Sequence, residues 1–177
     1  MPEHFDRGIF SLYFFNIVQL EKGQGIFQAT GVPHAYLEGQ NMELMKNSDN
    51  VLRAGLTPKH VDIDELMEHI VFQVTQPVIL SGEQVGVDSM EFSYPCPVPE
   101  FALNRIELKE AERYSALSTS FEILIAVEGG AVINGSTNLV LRQGDAVAIL
   151  PGEEYSLVSS GHCLAFKAFV PELPGNL

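Results

Sequence analysis

The chain has 177 residues, 46% hydrophobic and 19% charged, which supplies apolar material for a core and argues against disorder. Its 10 basic and 23 acidic residues leave a net charge of −13 with no run of Lys or Arg, a balance that excludes a nucleic-acid phosphate backbone as partner. A small anionic substrate stays open, because a local group of cations outweighs distant charge.

Cys96 and Cys163 lie far apart and form neither a metal pair nor a disulfide scaffold, so a reducing cytoplasm is expected. The most apolar early stretch, Ile9 to Leu20, is interrupted by Ser11, Asn16 and Gln19. It is too short to cross a membrane and lacks the basic leader of a signal peptide.

Ser11 to Leu20, apolar and aromatic, reads as a strand with Tyr13-Phe14-Phe15 in the core of a sheet, closed by a turn at Lys22-Gly23. Gly25 to Gln28 is a short strand running into Ala29-Thr30-Gly31-Val32-Pro33-His34, and Gly39-Gln40 marks another turn. Asp62-Ile63-Asp64-Glu65 has the form of a capping box, and Ile63, Leu66, Met67, Ile70 and Val71 recur at helical spacing. The pattern predicts a helix over 62–72, with Asp64, Glu65, Glu68 and His69 on the opposite face.

From 76 to 99 the chain is punctuated by proline and glycine, and Pro95-Cys-Pro-Val-Pro99 reads as an extended connector. Short strands follow at 102–108, 122–127, 132–133, 138–141, 146–150 and 163–170. Turns at Gly129-Gly130, Asn134-Gly135, Gly144-Asp145 and Gly152 separate them. Val132 to Leu141, folded about Asn134-Gly135, is the best hairpin signal in the chain. Strands so short and evenly spaced predict a sandwich or small barrel.

One pattern recurs. Leu20 to Gly31 aligns without gaps on Leu141 to Gly152, with 20 on 141, 23 on 144 and 31 on 152, and His34 then falls on Tyr155. Two β units of one kind are implied, and the first alone keeps an imidazole at that place.

The run of a Gly, about five residues and then Pro-x-Gly-x-x-His resembles the second conserved motif of the cupin superfamily, a jelly-roll fold. The first copy, Gly23 to His34, has Ala29 in place of the motif's Pro but keeps Gly31 and His34. The second, Gly144 to Tyr155, puts Tyr155 at the ligand position and looks like a metal-free cupin. Gly31-Val-Pro-His-Ala-Tyr36, Glu43-Leu-Met and Ser48-Asp-Asn-Val-Leu-Arg-Ala-Gly-Leu-Thr-Pro-Lys59 closely resemble the C-terminal signature block of type I mannose-6-phosphate isomerases.

The resemblance implies a mainly β fold: a partial first cupin unit with a helical segment over 1–75, a connector over 76–99 and a small C-terminal cupin-like barrel over 100–177. The enzymes it points to are zinc-dependent aldose–ketose isomerases of mannose 6-phosphate and fructose 6-phosphate. On that resemblance His34 is the last of four metal ligands, and Tyr36, Glu43, Asp49, Arg53 and Lys59 line the pocket. The family's other ligands, a Gln-x-His pair and a Glu, lie upstream, and no such pair occurs among His4, His34, His60, His69 and His162.

Isomerisation moves a proton between C1 and C2 through an enediol, and negative charge develops on the sugar oxygens, where a metal can polarise them. Arg53 suits stabilisation of that charge, Glu43 suits proton transfer, and Tyr36, Asp49 and Lys59 suit substrate or phosphate binding. The expected whole is thus part of an isomerase, inactive as this chain and lacking an N-terminal half. The alternative is a stand-alone cupin that binds a sugar phosphate without turning it over. An apolar face left uncovered would favour self-association.

Overall fold

The computed structural model describes residues 5–48 and 50–172. The chain forms two compact units, the first of Met1–Lys22, Ile26–Asn41 and Asn47–Ile79, the second of Gly23–Gly25, Met42–Lys46 and Leu80–Leu177.

The first unit is built mainly from turns. Asp6 ties down its start, its carboxylate accepting hydrogen bonds from the Gly8 and Leu56 amides, both at 2.7 Å. A 3-10 helix at Arg7–Phe10 follows, and then α1, Ser11–Phe14. The strand expected over 11–20 is therefore absent. The Asp6 cap starts a helical turn, no neighbouring strand competes for the backbone, and local hydrogen bonding prevails. Tyr13 and Phe14 are both 81% exposed, so the aromatic run is not sheet core.

The strand expected over 25–28 survives as the two-residue β1, Gly25–Ile26, which pairs with β2, Ile79–Leu80. The predicted helix is α2, Ile63–His69, shorter than expected because Ile70 is extended. Asp62 caps it by accepting from the Glu65 amide at 3.1 Å. The return half of the capping box is replaced, since Glu65 turns to His69 at 3.0 Å. Ile63 and Met67, on the predicted apolar face, are exposed. No described residue of this unit is buried.

The second unit is a mainly β, antiparallel fold of the kind the cupin resemblance implies. Its sheet runs β3 (Glu83–Gln84), β4 (Glu91–Ser93), β5 (Ala102–Leu108), β10 (Glu154–Phe169), β7 (Glu122–Asn134) and β8 (Leu139–Arg142). β6 (Arg113–Leu117) pairs with β10, and β9 (Ala146–Ile149) pairs with β7. Strand β5 lies where the sequence put it. The signals at 122–127 and 132–133 merge into one strand, because Gly129 forms no turn. It sits at a bulge opposite Cys163 with φ +63°, and a Cβ there would lie 1.7 Å from the His162 carbonyl oxygen. The hairpin about Asn134-Gly135 is present, with Ile133 opposite Leu139.

Strand β6 was not expected, although Arg113-Tyr114-Ser115-Ala116 alternates polar and apolar and its burial alternates with it. Residues 76–99 contribute β3 and β4 to the sheet. Alternate residues of β5, β7 and β10 point into one core, where Ile106, Leu108, Leu124, Ala126, Leu157 and Ala165 are almost completely removed from water. No helix among the described residues is long and apolar enough to cross a membrane.

Candidate functional site

The segment that carries His34 leaves β1, turns at Thr30-Gly31, where Gly31 has φ +77°, and is held by a bond from the Val71 amide to the Gly31 carbonyl at 2.8 Å. A Cβ on Gly31 would meet the His69 carbonyl oxygen at 2.6 Å, so glycine is needed here for conformation and for space.

Beyond this turn His34 Nδ1 lies 3.0 Å from the Val32 carbonyl oxygen. In the tautomer that donates this bond, Nε2 carries the lone pair that a ligand atom needs, on a side chain that is exposed. Tyr36 meets the His34 ring edge-on, with centroids 6.0 Å apart and planes at 68°. Among the described residues these two predicted side chains are in ring contact.

Arg53, half-buried in the first unit, donates from Nη1 to the Val51 carbonyl at 3.3 Å. Lys59 is exposed, and its amide donates to Thr57 Oγ1 at 3.2 Å. Glu43 is exposed and belongs to the second unit. Asp49 lies outside the described residues.

A catalytic zinc takes three or more protein ligands. The one described trio of His, Cys, Asp or Glu with donor atoms close enough to share an ion is Glu65, Glu68 and His69, all within 4.8 Å and all exposed on α2. His34 is not part of it. The described residues therefore do not fit a zinc held at His34 by this chain alone. The trio follows from i, i+3 and i+4 spacing, which the sequence displays.

Sequence reasoning missed a second polar group, inside the barrel. Lys167 Nζ lies 2.6 Å from Glu91 Oε1 and donates to the Tyr114 hydroxyl at 3.0 Å. Asn104 Nδ2 donates to Glu91 Oε1 at 2.6 Å, Tyr114 donates to Glu91 Oε2 at 2.9 Å, and Tyr155 donates to Glu122 Oε2 at 2.7 Å. Burial alone would raise the Glu91 pKa, but hydrogen bonds from Asn104 and Lys167, with the Lys167 charge and Tyr114, outweigh it and hold it low. Burial pushes the Tyr114 hydroxyl up to about 12. A lysine inside the apolar run Cys163 to Phe169 was the available signal.

Comparison with known proteins agrees with the motif block. No protein-family model matches the chain. Mannose-6-phosphate isomerase of Escherichia coli (strain K12) is 39% identical over 158 residues, which span 89% of this chain and 40% of that protein. The enzyme of Cryptococcus neoformans is 33% identical over 174 residues, spanning 93% and 39%. The crystal structure of a phosphomannose isomerase mutant from Salmonella typhimurium superposes with a TM-score of 0.59 at 30% identity, covering 71% of this chain and 32% of that one. The chain thus spans about two fifths of the length of the curated relatives it matches. Motif block, antiparallel fold and relatives agree: this chain is similar to the C-terminal portion of the mannose-6-phosphate isomerases.

Proposed function

We propose that the chain contributes one side of a zinc-dependent mannose-6-phosphate isomerase and is inactive by itself. The observation that carries this reading is the 39% identity to an isomerase of which the chain spans only 40%. The exposed imidazole of His34, set beside Tyr36, suits a ligand that waits for others. The remaining zinc ligands would come from the part of the relatives that this chain does not span.

In the completed site the chain's own residues have defined work. Arg53 stays protonated throughout and stabilises charge on the sugar oxygens as the enediol forms. Glu43 carries the proton between C1 and C2. Lys59, Tyr36 and Asp49 hold the sugar phosphate, and a soluble cytoplasmic setting matches the substrate.

Zinc content by elemental analysis, paired with a mannose-6-phosphate isomerase assay on the same sample, tests this. The expected result is no stoichiometric zinc and no turnover, with both recovered when a polypeptide covering the remaining three fifths of a relative is added. Stoichiometric zinc with turnover by this chain alone would overturn it.

A further inference from the structure

We propose that the interior of the second unit is a cation site in which the chain's own Lys167 ammonium takes the place of a bound ion. This rests on the internal repeat and the barrel interior and is independent of the isomerase reading.

Position is the first support. The repeat sets Tyr155 where the first copy has His34, and Tyr155, 5% exposed, turns its hydroxyl inward to Glu122. The ligand position of the second copy therefore opens onto the barrel interior. On β10, Lys167 lies opposite Asn104 of β5 and Leu124 of β7, all three buried on the same face. Arg105, next to Asn104 on β5 and opposite Phe166, follows the other alternation and is spent on the Gly23 carbonyl at 2.8 Å and the Phe92 ring at 4.7 Å.

Donor chemistry is the second. Around Nζ stand a carboxylate oxygen at 2.6 Å, a phenol oxygen at 3.0 Å and the faces of Tyr114 and Phe169, centroids at 5.6 and 5.1 Å. Oxygen donors and aromatic faces are what a small cation seeks. Asn104 donates to the same Oε1 that faces the ammonium and Tyr114 to Oε2, so both carboxylate oxygens are fixed rather than free to follow the ammonium.

Charge is the third. Glu91 and Glu122 are both buried, and an uncompensated buried carboxylate is strongly disfavoured. Burial by itself would lower the Lys167 pKa, yet its surroundings, Tyr114 first and then Glu91, raise it. The cluster is thus organised to keep a cation, and the ligand class it would accept in place of Lys167 is a primary alkylammonium or a small metal cation.

The test is Lys167→Ala in the full chain, which removes the equivalent of n-propylammonium. Thermal unfolding is followed with n-propylammonium, with n-propanol as the neutral isostere, with tetramethylammonium as a bulky cation, and with Mn2+. The expected result is a lower Tm that n-propylammonium or Mn2+ raises by about 4 °C or more, a shift worth roughly 1 kcal/mol in a domain of this size. Propanol and tetramethylammonium leave it unchanged, and n-propylammonium does not raise the Tm of the native chain. Lys167→Ala combined with Glu91→Gln should lose the response, because the carboxylate that attracts the cation is gone. Should Lys167→Ala not fold in plain buffer, folding in n-propylammonium alone supports the site. The double variant then serves as the second readout, and it should fold better than the single one. If neither cation raises the Tm of Lys167→Ala and the double variant is no more stable than the single one, the proposal is overturned.

Discussion

From Gly144 to Tyr155 the chain turns, runs through β9, turns again and delivers Tyr155 into a packed core. From Gly23 to His34 it makes the same movements. Gly23 and Gly144 have φ +82° and +88°, and Gly31 and Gly152 have +77° and +82°. Each second turn is closed by one bond of 3.3 Å, Val32 amide to Ala29 carbonyl in the first copy and Glu153 amide to Leu150 carbonyl in the second. Beyond the turns the copies part. Strand β1 keeps two residues where β9 has four, and His34 is exposed while Tyr155 is buried. Turns are set locally by glycine and by i to i+3 bonding. Strand length and burial come from partners, and β9 has β7 beside it along all four residues. The same local code therefore leads into a core in the second copy and into an open segment in the first.

The largest predicted contrast comes from the buried charges. Glu91→Gln leaves Lys167 without its counter-charge and should cost about 3–5 kcal/mol, the usual range for one partner of a buried pair. The pH dependence follows from the signs. The folded pKa of Glu91 lies below the ordinary 4.5, so its contribution is complete above that value and fades as pH falls through the folded one. That of Lys167 lies above 10.5, so its contribution is complete below 10.5 and is lost as pH rises through the folded value. Urea midpoints taken across both limbs should show both losses, and Glu91→Gln should flatten the acid one. An unchanged acid limb would remove the barrel charges from the comparison.

Next in size is the difference between the two apolar populations. Leu157, at 0% exposure, should cost about 2–5 kcal/mol when cut to Ala. Tyr13→Ala, at 81% exposure, should stay within about 0.5 kcal/mol. Denaturant midpoints on the two variants measure this directly. The exposed side chains have another consequence. Phe10, Tyr13, Phe14 and Ile17 leave apolar surface in water, so light scattering should show concentration-dependent association that Phe14→Ser weakens without moving the unfolding midpoint. Equal costs at Leu157 and Tyr13 would mean that the first unit also has a core.

This contrast explains what the sequence could reveal. In the second unit alternation and turn residues agree with the partners actually present, so β5, the 132–141 hairpin and β9 are legible to within a residue or two. The merged β7 was not, because Gly129-Gly130 looks like a turn and acts as a bulge, a choice made by the His162 backbone across the ladder. In the first unit an aromatic run with no sheet to join becomes a helical turn. The candidate site is legible as a motif, and the structure adds only the local geometry that sets His34 beside Tyr36. Arg53, Lys59 and Glu43 owe their roles to resemblance. The Glu91–Lys167 group was hidden because its members come from separate strands that only the fold assembles.

A smaller effect separates the two turn glycines. Ala at Gly152 meets nothing within 4 Å and should cost only the left-handed penalty, about 1 kcal/mol. Ala at Gly31 carries the same penalty and also presses on the His69 carbonyl at 2.6 Å and Val71 Cγ2 at 2.9 Å. Amide exchange at Val71, whose N–H is bonded to Gly31, should therefore rise in Gly31→Ala and stay unchanged in Gly152→Ala. Equal behaviour would mean that the first turn is as loosely packed as the second.

The smallest effect tests how far local bonding alone sustains the first unit. A seven-residue helix is marginal without packing, and no residue of α2 is buried, so its ends decide its population. Asp62→Ala removes the bond to the Glu65 amide and should cost about 1 kcal/mol, seen as loss of helical chemical shifts over 63–69. Glu65→Ala leaves that cap in place and removes only the exposed pair with His69, worth about 0.3–0.5 kcal/mol. If the helix persists in Asp62→Ala, something other than its cap supports it. The apolar face of Ile63 and Met67 would then have to be covered in solution.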